Sequence, residues 1–403
     1  MAPPADGSFA PGMPPQNAWP ETSPFTQHRI EETYNEGGVW SYNSDDNFAR
    51  KWYFALDYLY AHGVKTGNHL IGAAEFRSND FFPGFPNVFP QQTTALYPDM
   101  FHNGMKATLG YDNPDGSGAM LSGFWLFENS LDNRRFISEA IPGVNTTLLT
   151  RASIVLDNGD GTSTNVPFDS RFVQTWTQSI GGSDLDLFST PFFERNTFKL
   201  RVAYGVKYLR ISEQFRVSAS DSGLGYIVTL PSGTIDYGTV TFIGINPYTT
   251  LIQSSATSNL VGPQLGVRYD LGGDKLRFWG VTQLAVAADI ERRTVSGSNV
   301  VQGFQVGSVT APPTFHAQDS THIVPIIDTS INMELPIFAM MPYINRFAVL
   351  RNANLRIGYN FVNAWEISRA VNIIKYTYGD PGLQNGRTAF RFNAVNFGLD
   401  WKW

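Results

Sequence analysis

Phe198-Lys199-Leu200-Arg201-Val202-Ala203-Tyr204-Gly205-Val206-Lys207-Tyr208 alternates without a break. Phe198, Leu200, Val202, Tyr204, Val206 and Tyr208 fall on one parity, and Lys199, Arg201, Ala203, Gly205 and Lys207 on the other. Successive side chains of a strand point to opposite faces, so this order makes one apolar and one polar face, whereas a helix would mix the two sets.

The same period recurs along the chain. Trp52, Phe54, Leu56, Tyr58 and Tyr60 alternate with Lys51, Tyr53, Ala55, Asp57 and Leu59. Met105, Ala107, Leu109 and Tyr111 lead through a hairpin signal, Asn113-Pro114-Asp115-Gly116, into Ala119, Leu121, Trp125 and Phe127. Further strands are predicted around Leu265 to Tyr269, Leu284 to Ile290, Ile327 to Met333 and Leu355 to Phe361, with a turn at Leu271-Gly272-Gly273-Asp274. With the C-terminal run these make nine clear segments. Weaker ones lie near 148–156, 171–177, 224–230, 239–245, 301–308 and 371–377. The expected total is about 10 to 14 strands, with about 12 favoured because bacterial barrels of this kind have an even number.

Alternation alone suits a soluble sandwich as well as a membrane barrel. The C-terminus separates them: Val395, Phe397, Leu399, Trp401 and Trp403 occupy every second position up to the last residue. Many outer-membrane barrels end on such a strand, which the insertion machinery reads. Aromatics gather near strand ends (Tyr58, Tyr60, Tyr111, Trp125, Tyr208, Tyr269, Trp401), as interfacial girdles require. Charges fall on the more polar stripe, away from lipid. The expectation is therefore all-β: an antiparallel transmembrane β-barrel over 50–403 with long loops, preceded by a Pro-rich, extended arm over 1–49 that holds seven prolines between Pro3 and Pro24.

Composition agrees. Of 403 residues only 16% are charged, against about 25% in ordinary soluble chains, and 14% are aromatic. The absence of Cys removes disulfides, thiolate nucleophiles and Cys-based metal sites, and leaves six His. A net charge of -6 without a basic block excludes nucleic acid as a partner. No apolar run is long enough for a transmembrane helix. No signal peptide is evident; it is expected to have been removed, with the protein in the bacterial outer membrane.

The aromatic first strand Trp52-Tyr53-Phe54-Ala55-Leu56-Asp57-Tyr58-Leu59 and the hairpin Gly110-Tyr111-Asp112 to Gly123-Phe124-Trp125 carry a family resemblance. It continues through Tyr208-Leu209-Arg210-Ile211-Ser212-Glu213, through Asn259 to Tyr269 with Gly262, Gln264, Gly266 and Arg268, and through Arg356-Ile357-Gly358-Tyr359-Asn360-Phe361. In these motifs the chain resembles the outer-membrane β-barrel porins of planctomycete-type bacteria, porin family seven. The resemblance implies an outer-membrane barrel and supplies no catalytic residue, substrate or cofactor. Pro263 departs from the pattern and suits a strand start or a bulge.

The stripe expected to line the lumen carries Lys106, Lys199, Arg201, Lys207, Arg268, Arg277, Arg356 and Lys402 against Asp57, Asp289, Asp328, Glu334 and Asp400. In an open pore this excess would favour anions; in a closed one the charges would pair. Phe81, Phe82, Phe85 and Phe89, set among three prolines, are candidates for a constriction loop. Asp157-Asn158-Gly159-Asp160-Gly161 offers oxygens to Ca²⁺ but lacks the closing Glu of an EF-hand, and turn chemistry accounts for it. His322 beside Ser320, and His62, sit in no nucleophile motif.

The expected function is thus passive diffusion of small polar solutes or ions through an outer-membrane porin narrowed by loops. It needs no cofactor, metal or enzymatic chemistry. The partners expected are outer-membrane lipids and the insertion machinery, with room for a homo-oligomer. The alternative is a filled, non-conducting barrel acting as an envelope structural or attachment protein.

Overall fold

The structure is a computed structural model that describes residues 51–63, 67–74, 77–78, 91–94, 100–135, 139–140, 147–148, 152–168, 170–221, 227–228, 240–241, 247–273, 276–300, 312–341, 347–351 and 353–402. The N-terminal arm expected over 1–49, the constriction candidates Phe81, Phe82, Phe85 and Phe89, and Trp403 lie outside these residues.

Ten long strands form one antiparallel ring: β1 (Lys51–Gly63), β2 (Met100–Asp112), β3 (Gly118–Arg135), β4 (Arg171–Phe188), β5 (Phe198–Asp221), β6 (Tyr248–Gly272), β7 (Arg277–Ser298), β8 (Thr314–Leu335), β9 (Ala353–Ser368) and β10 (Arg387–Lys402). Each pairs with its sequence neighbour, and β10 pairs with β1 to close the circle, Leu399 opposite Leu56. The nine clear segments and the weaker one at 171–177 supply the ten. The favoured number of twelve was too high for a physical reason: the residues went into length. β5 has 24 residues and β6 has 25, against the ~10 that cross a bilayer. Of the other weak segments, 148–156 falls partly in a small hairpin inside the barrel mouth, and 301–308 lies outside the described residues.

The two ends differ. One has short connections, the turn 113–117 and the link from Gly273 to Leu276 among them, both chain ends of the ring, and, among the described residues, two single-turn helices, α1 (Ile337–Met340) and α2 (Ala348–Arg351). In the first turn Gly116 takes φ +80°, and the Ser117 amide and hydroxyl hold the Asp115 carboxyl below the usual carboxylate range. The other end carries the long connections, as outer-membrane barrels do.

Outward side chains divide the wall into two zones. Leu200 to Tyr208 on β5, Val261 to Leu271 on β6, Leu284 to Ile290 on β7 and Val395 to Trp401 on β10 form an apolar belt next to the short-turn end. Above it the outward residues turn polar: Arg210, Ser212, Gln214 and Arg216 on β5, and Asn259, Thr257, Ser255 and Gln253 on β6. They bond laterally, Ser212 to Thr257 at 3.2 Å and Thr175 to Asp132 at 2.7 Å. A repeated device marks the boundary: Tyr58, Tyr208 and Tyr359 each donate to an Asn diagonally across the ladder, Asn103, Asn259 (3.1 Å) and Asn393 (3.0 Å). Pro263 is neither a strand start nor a bulge. The β6–β7 ladder skips Gly262 and Pro263 and resumes in the same register, Val261 with Ala288 and Gln264 with Ala285.

Aromatics cover glycines directly across the ladder. The Tyr53 ring lies over Gly110, where an added Cβ would come within 1.9 Å of it, and Trp125 covers Gly181 in the same way.

Candidate functional site: the barrel interior

Inward side chains stack in layers. Nearest the short turns is an ion-pair network. Asp270 accepts from Arg277 (2.6 Å) and Arg268 (3.2 Å) and lies 3.5 Å from Arg201, which also reaches Asp112 at 3.2 Å. Glu334 takes Lys402 and Trp279, and Arg356 bonds Asn332 at 3.1 Å and faces Asp57 at 3.6 Å. Two guanidiniums lie over the Trp279 ring, Arg268 at 5.2 Å and Arg356 at 4.8 Å from its centre.

Above it, Lys207 bridges Asp184 (2.7 Å) and Asp328 (2.6 Å), and Lys106 donates to Asn360 at 3.0 Å. Lys106, Asp184, Asp328 and Asn360, with Asp186 and Gln283, line a cavity of about 40 Å³. That is enough to hold water, about 10 to 15 Å³ being needed for the first molecule. The next layer is apolar: Leu59, Leu209, Leu260, Val324, Phe390 and Phe392. A second polar layer follows. In it Arg369 grips Glu213 with three contacts of 2.7 to 2.9 Å, and Asp289, Glu291 and His322 come together.

The mouth is closed by a hydrophobic core. Trp176, Phe215, Val217, Ile252 and Val295 point in from the wall and meet Ile154, Leu156, Val166 and Phe168 of the hairpin Ala152–Asp157 and Thr162–Phe168. Ile71 and the segment Ala370 to Tyr376 complete it. Backbone bonds join these insertions, Ala73 to Val155 (2.7 Å) and Asp157 to Tyr376 (2.8 Å). The Asp157 to Gly161 turn uses its own oxygens: Asp157 accepts from the Gly159 amide and Asp160 from Thr162. Burial pushes the Tyr376 phenol above its ordinary pKa, and its hydroxyl has no hydrogen-bond partner.

A water-filled lumen would leave its lining accessible, yet Arg268, Arg356, Lys207, Leu209, Phe215 and Ile252 are each at most 1% exposed. All eleven lumen candidates named from sequence (Asp57, Lys106, Lys199, Arg201, Lys207, Arg268, Arg277, Asp289, Asp328, Glu334 and Arg356) sit on the inward parity of their strands. Lys199 stands apart at the rim, paired with Glu194 at 2.7 Å. The sequence reading missed Asp184, Asp186, Glu213, Asp270, Glu291, Arg293 and Arg369. Asp184 and Asp186 alternate with Leu185 and Leu187, and that parity could have found them. Arg369 follows β9 in an inserted segment where no period applies.

Val395, Phe397, Leu399 and Trp401 face outward on β10, Phe397 opposite Tyr58, and Trp401 donates to the Val349 carbonyl at 2.9 Å. Ser320 donates to Glu291 at 3.0 Å, His322 Nε2 bonds the Glu366 carbonyl at 3.0 Å, and the His62 ring lies 5.1 Å from that of Phe101.

No family model matches the chain, and a search of curated proteins finds no match. Among solved structures the chain is similar to the outer membrane protease OmpT of Escherichia coli, at 11% identity over 88% of this chain and 96% of that one, with a TM-score of 0.38. It is also similar to the toluene transporter TbuX of Ralstonia pickettii, at 10% identity over 88% and 90% of the two chains, TM-score 0.22. A Pseudomonas aeruginosa FadL homologue stands at 8% identity over 87% and 90%, TM-score 0.19. At these values no activity comes over from those proteins.

Proposed function

We propose that this chain is an outer-membrane β-barrel, porin-like in architecture, that stands shut: a filled, non-catalytic barrel serving as an envelope structural or attachment protein. The burial of inward side chains at every level, from Arg268 near the short turns to Ile252 in the mouth, carries this reading. The belt between the short turns and the Tyr–Asn pairs faces lipid, and the strands continue beyond it as a water-exposed turret with a packed centre. The β10 stripe Val395, Phe397, Leu399 and Trp401 serves as the insertion signal, and the resemblance to porin family seven implies the same outer-membrane placement.

A second reading, passive diffusion of small polar solutes or ions, is favoured by the polar cavity around Lys106, Asp184 and Asp328. It requires the mouth core to leave. Liposome swelling with small sugars separates the two. Wild-type protein should give no swelling beyond empty vesicles, and a variant with 152–168 replaced by a short Gly/Ser linker should remain slow because the ion-paired layers stay closed. Rapid swelling by the wild type would overturn the shut barrel.

A further inference from the structure

We propose that Asp289, Glu291 and His322 form a binding site for one divalent transition-metal ion of the Zn²⁺ class. Asp289 and Glu291 are two apart on β7 and so point to the same inward face. On β8 His322 lies opposite Asp289, and Ser320 opposite Glu291. One ligand atom from each of the three residues lies within 4.8 Å of the others.

Two observations point to a ligand. Asp289 is wholly buried, and neither carboxylate oxygen has a hydrogen-bond partner. The Ser258 hydroxyl lies beside this carboxylate, close enough for a polar contact but outside hydrogen-bond geometry. A buried carboxylate left so is costly unless something outside the chain meets it. The second observation is His322. Its Nε2 lies 3.0 Å from the Glu366 carbonyl, which can only accept, so Nε2 carries a proton, and the neutral ring in that tautomer presents its lone pair at Nδ1. That Nδ1 is buried without a partner, 3.8 Å from Glu291 Oε2, too far for a hydrogen bond. An imidazole whose far N–H is tied to a carbonyl is the usual arrangement of a metal-ligating His.

The backbone supplies both the aim and the entry path. Glu366 sits at φ +55° in an irregularity where the β9–β10 pairing shifts between Ala364 and Ile367, which turns its carbonyl toward His322. Beyond that point β8 loses its neighbour. It pairs with β9 only from Ile326 to Leu335, so Thr314 to Pro325 has no ladder partner on that side among the described residues. His322, with 15% of its side chain accessible, lies along this seam.

One imidazole and two carboxylates suit Zn²⁺ and its neighbours better than Ca²⁺ or Mg²⁺, which take oxygen ligands alone. Glu291 is also held by Arg387 (3.0 Å) and Arg293 (3.4 Å). The two carboxylates and these two guanidiniums cancel in charge, so an ion bound here adds its whole charge to the site.

The test uses the full chain in detergent, stripped by a chelator and titrated with Zn²⁺ alone by calorimetry near neutral pH. Co²⁺ in a parallel titration reports ligation through its visible absorption. Wild type should bind one ion at this site. His322→Ala and the isosteric Asp289→Asn should each weaken it by at least about tenfold. His316→Ala, which removes an imidazole bonded instead to Asp380 at 2.7 Å, should leave it unchanged. Each variant's heat-dependent gel shift checks folding, and Asp289→Asn decides if His322→Ala misfolds. No binding by wild type, or equal binding by a folded Asp289→Asn variant, overturns the proposal.

Discussion

Lys207 illustrates how charge is carried inside the wall. Its ammonium is buried and bridges Asp184 and Asp328, so removing it strands two carboxylates away from water. Lys207→Ala should therefore destabilise the barrel by about 3 to 5 kcal/mol, measured by urea unfolding in detergent or lipid. Replacing all three residues with apolar ones of similar volume should cost much less, because no group is then left unpaired. Tyr376 gives the pH dependence. Burial raises its pKa in the folded state, so the folded chain holds its proton where the unfolded chain releases it. The stability this residue contributes is present below the unfolded value of about 10 and falls as pH rises through it. Tyr376→Phe, which removes a buried hydroxyl without a partner, should hold or raise the heat-shift midpoint near neutrality and should lose less stability than wild type when both are taken to strongly alkaline pH.

At the scale of strands, position along the strand matters as much as parity. Leu265 lies within the apolar belt, opposite Tyr204, and Thr257 is on the same face of the same strand above the Tyr208–Asn259 pair. Leu265→Arg should cost about 2 to 4 kcal/mol in lipid and Thr257→Arg about 0 to 1. Equal costs would show that the belt is not the lipid-facing zone. The contrast also explains what the sequence could reveal. Parity was plain at Phe198 to Tyr208, and it put Asp57, Lys106 and Arg268 on the inward face. Length was not plain, because polar residues such as Ser212 and Thr257 on the outward face read as strand ends when only a membrane crossing is sought. The mouth core escaped for another reason. Ile154 falls in the weak segment 148–156 and Val166 and Phe168 in no predicted strand, and their partners Trp176 and Phe215 belong to other strands. Asp289 and His322 are likewise brought together only by strand pairing, with 32 residues of chain between the two that carry no metal-ligand spacing.

For the whole molecule, filling follows from closure. Ten strands enclose a space that side chains and a few inserted segments can occupy, whereas wider barrels leave a channel. Here the interior alternates ion-paired and apolar layers, and the mouth holds the most hydrophobic of them. The most direct measurement is single-channel conductance of the purified full chain in a planar bilayer, with insertion verified independently by protease protection. A filled barrel predicts no conductance steps under moderate voltage. Discrete, reproducible steps from the wild-type chain would contradict it and would establish an open pore, with the reversal potential in a salt gradient then reporting whether Lys106 and Lys207 or the facing carboxylates set its ion preference.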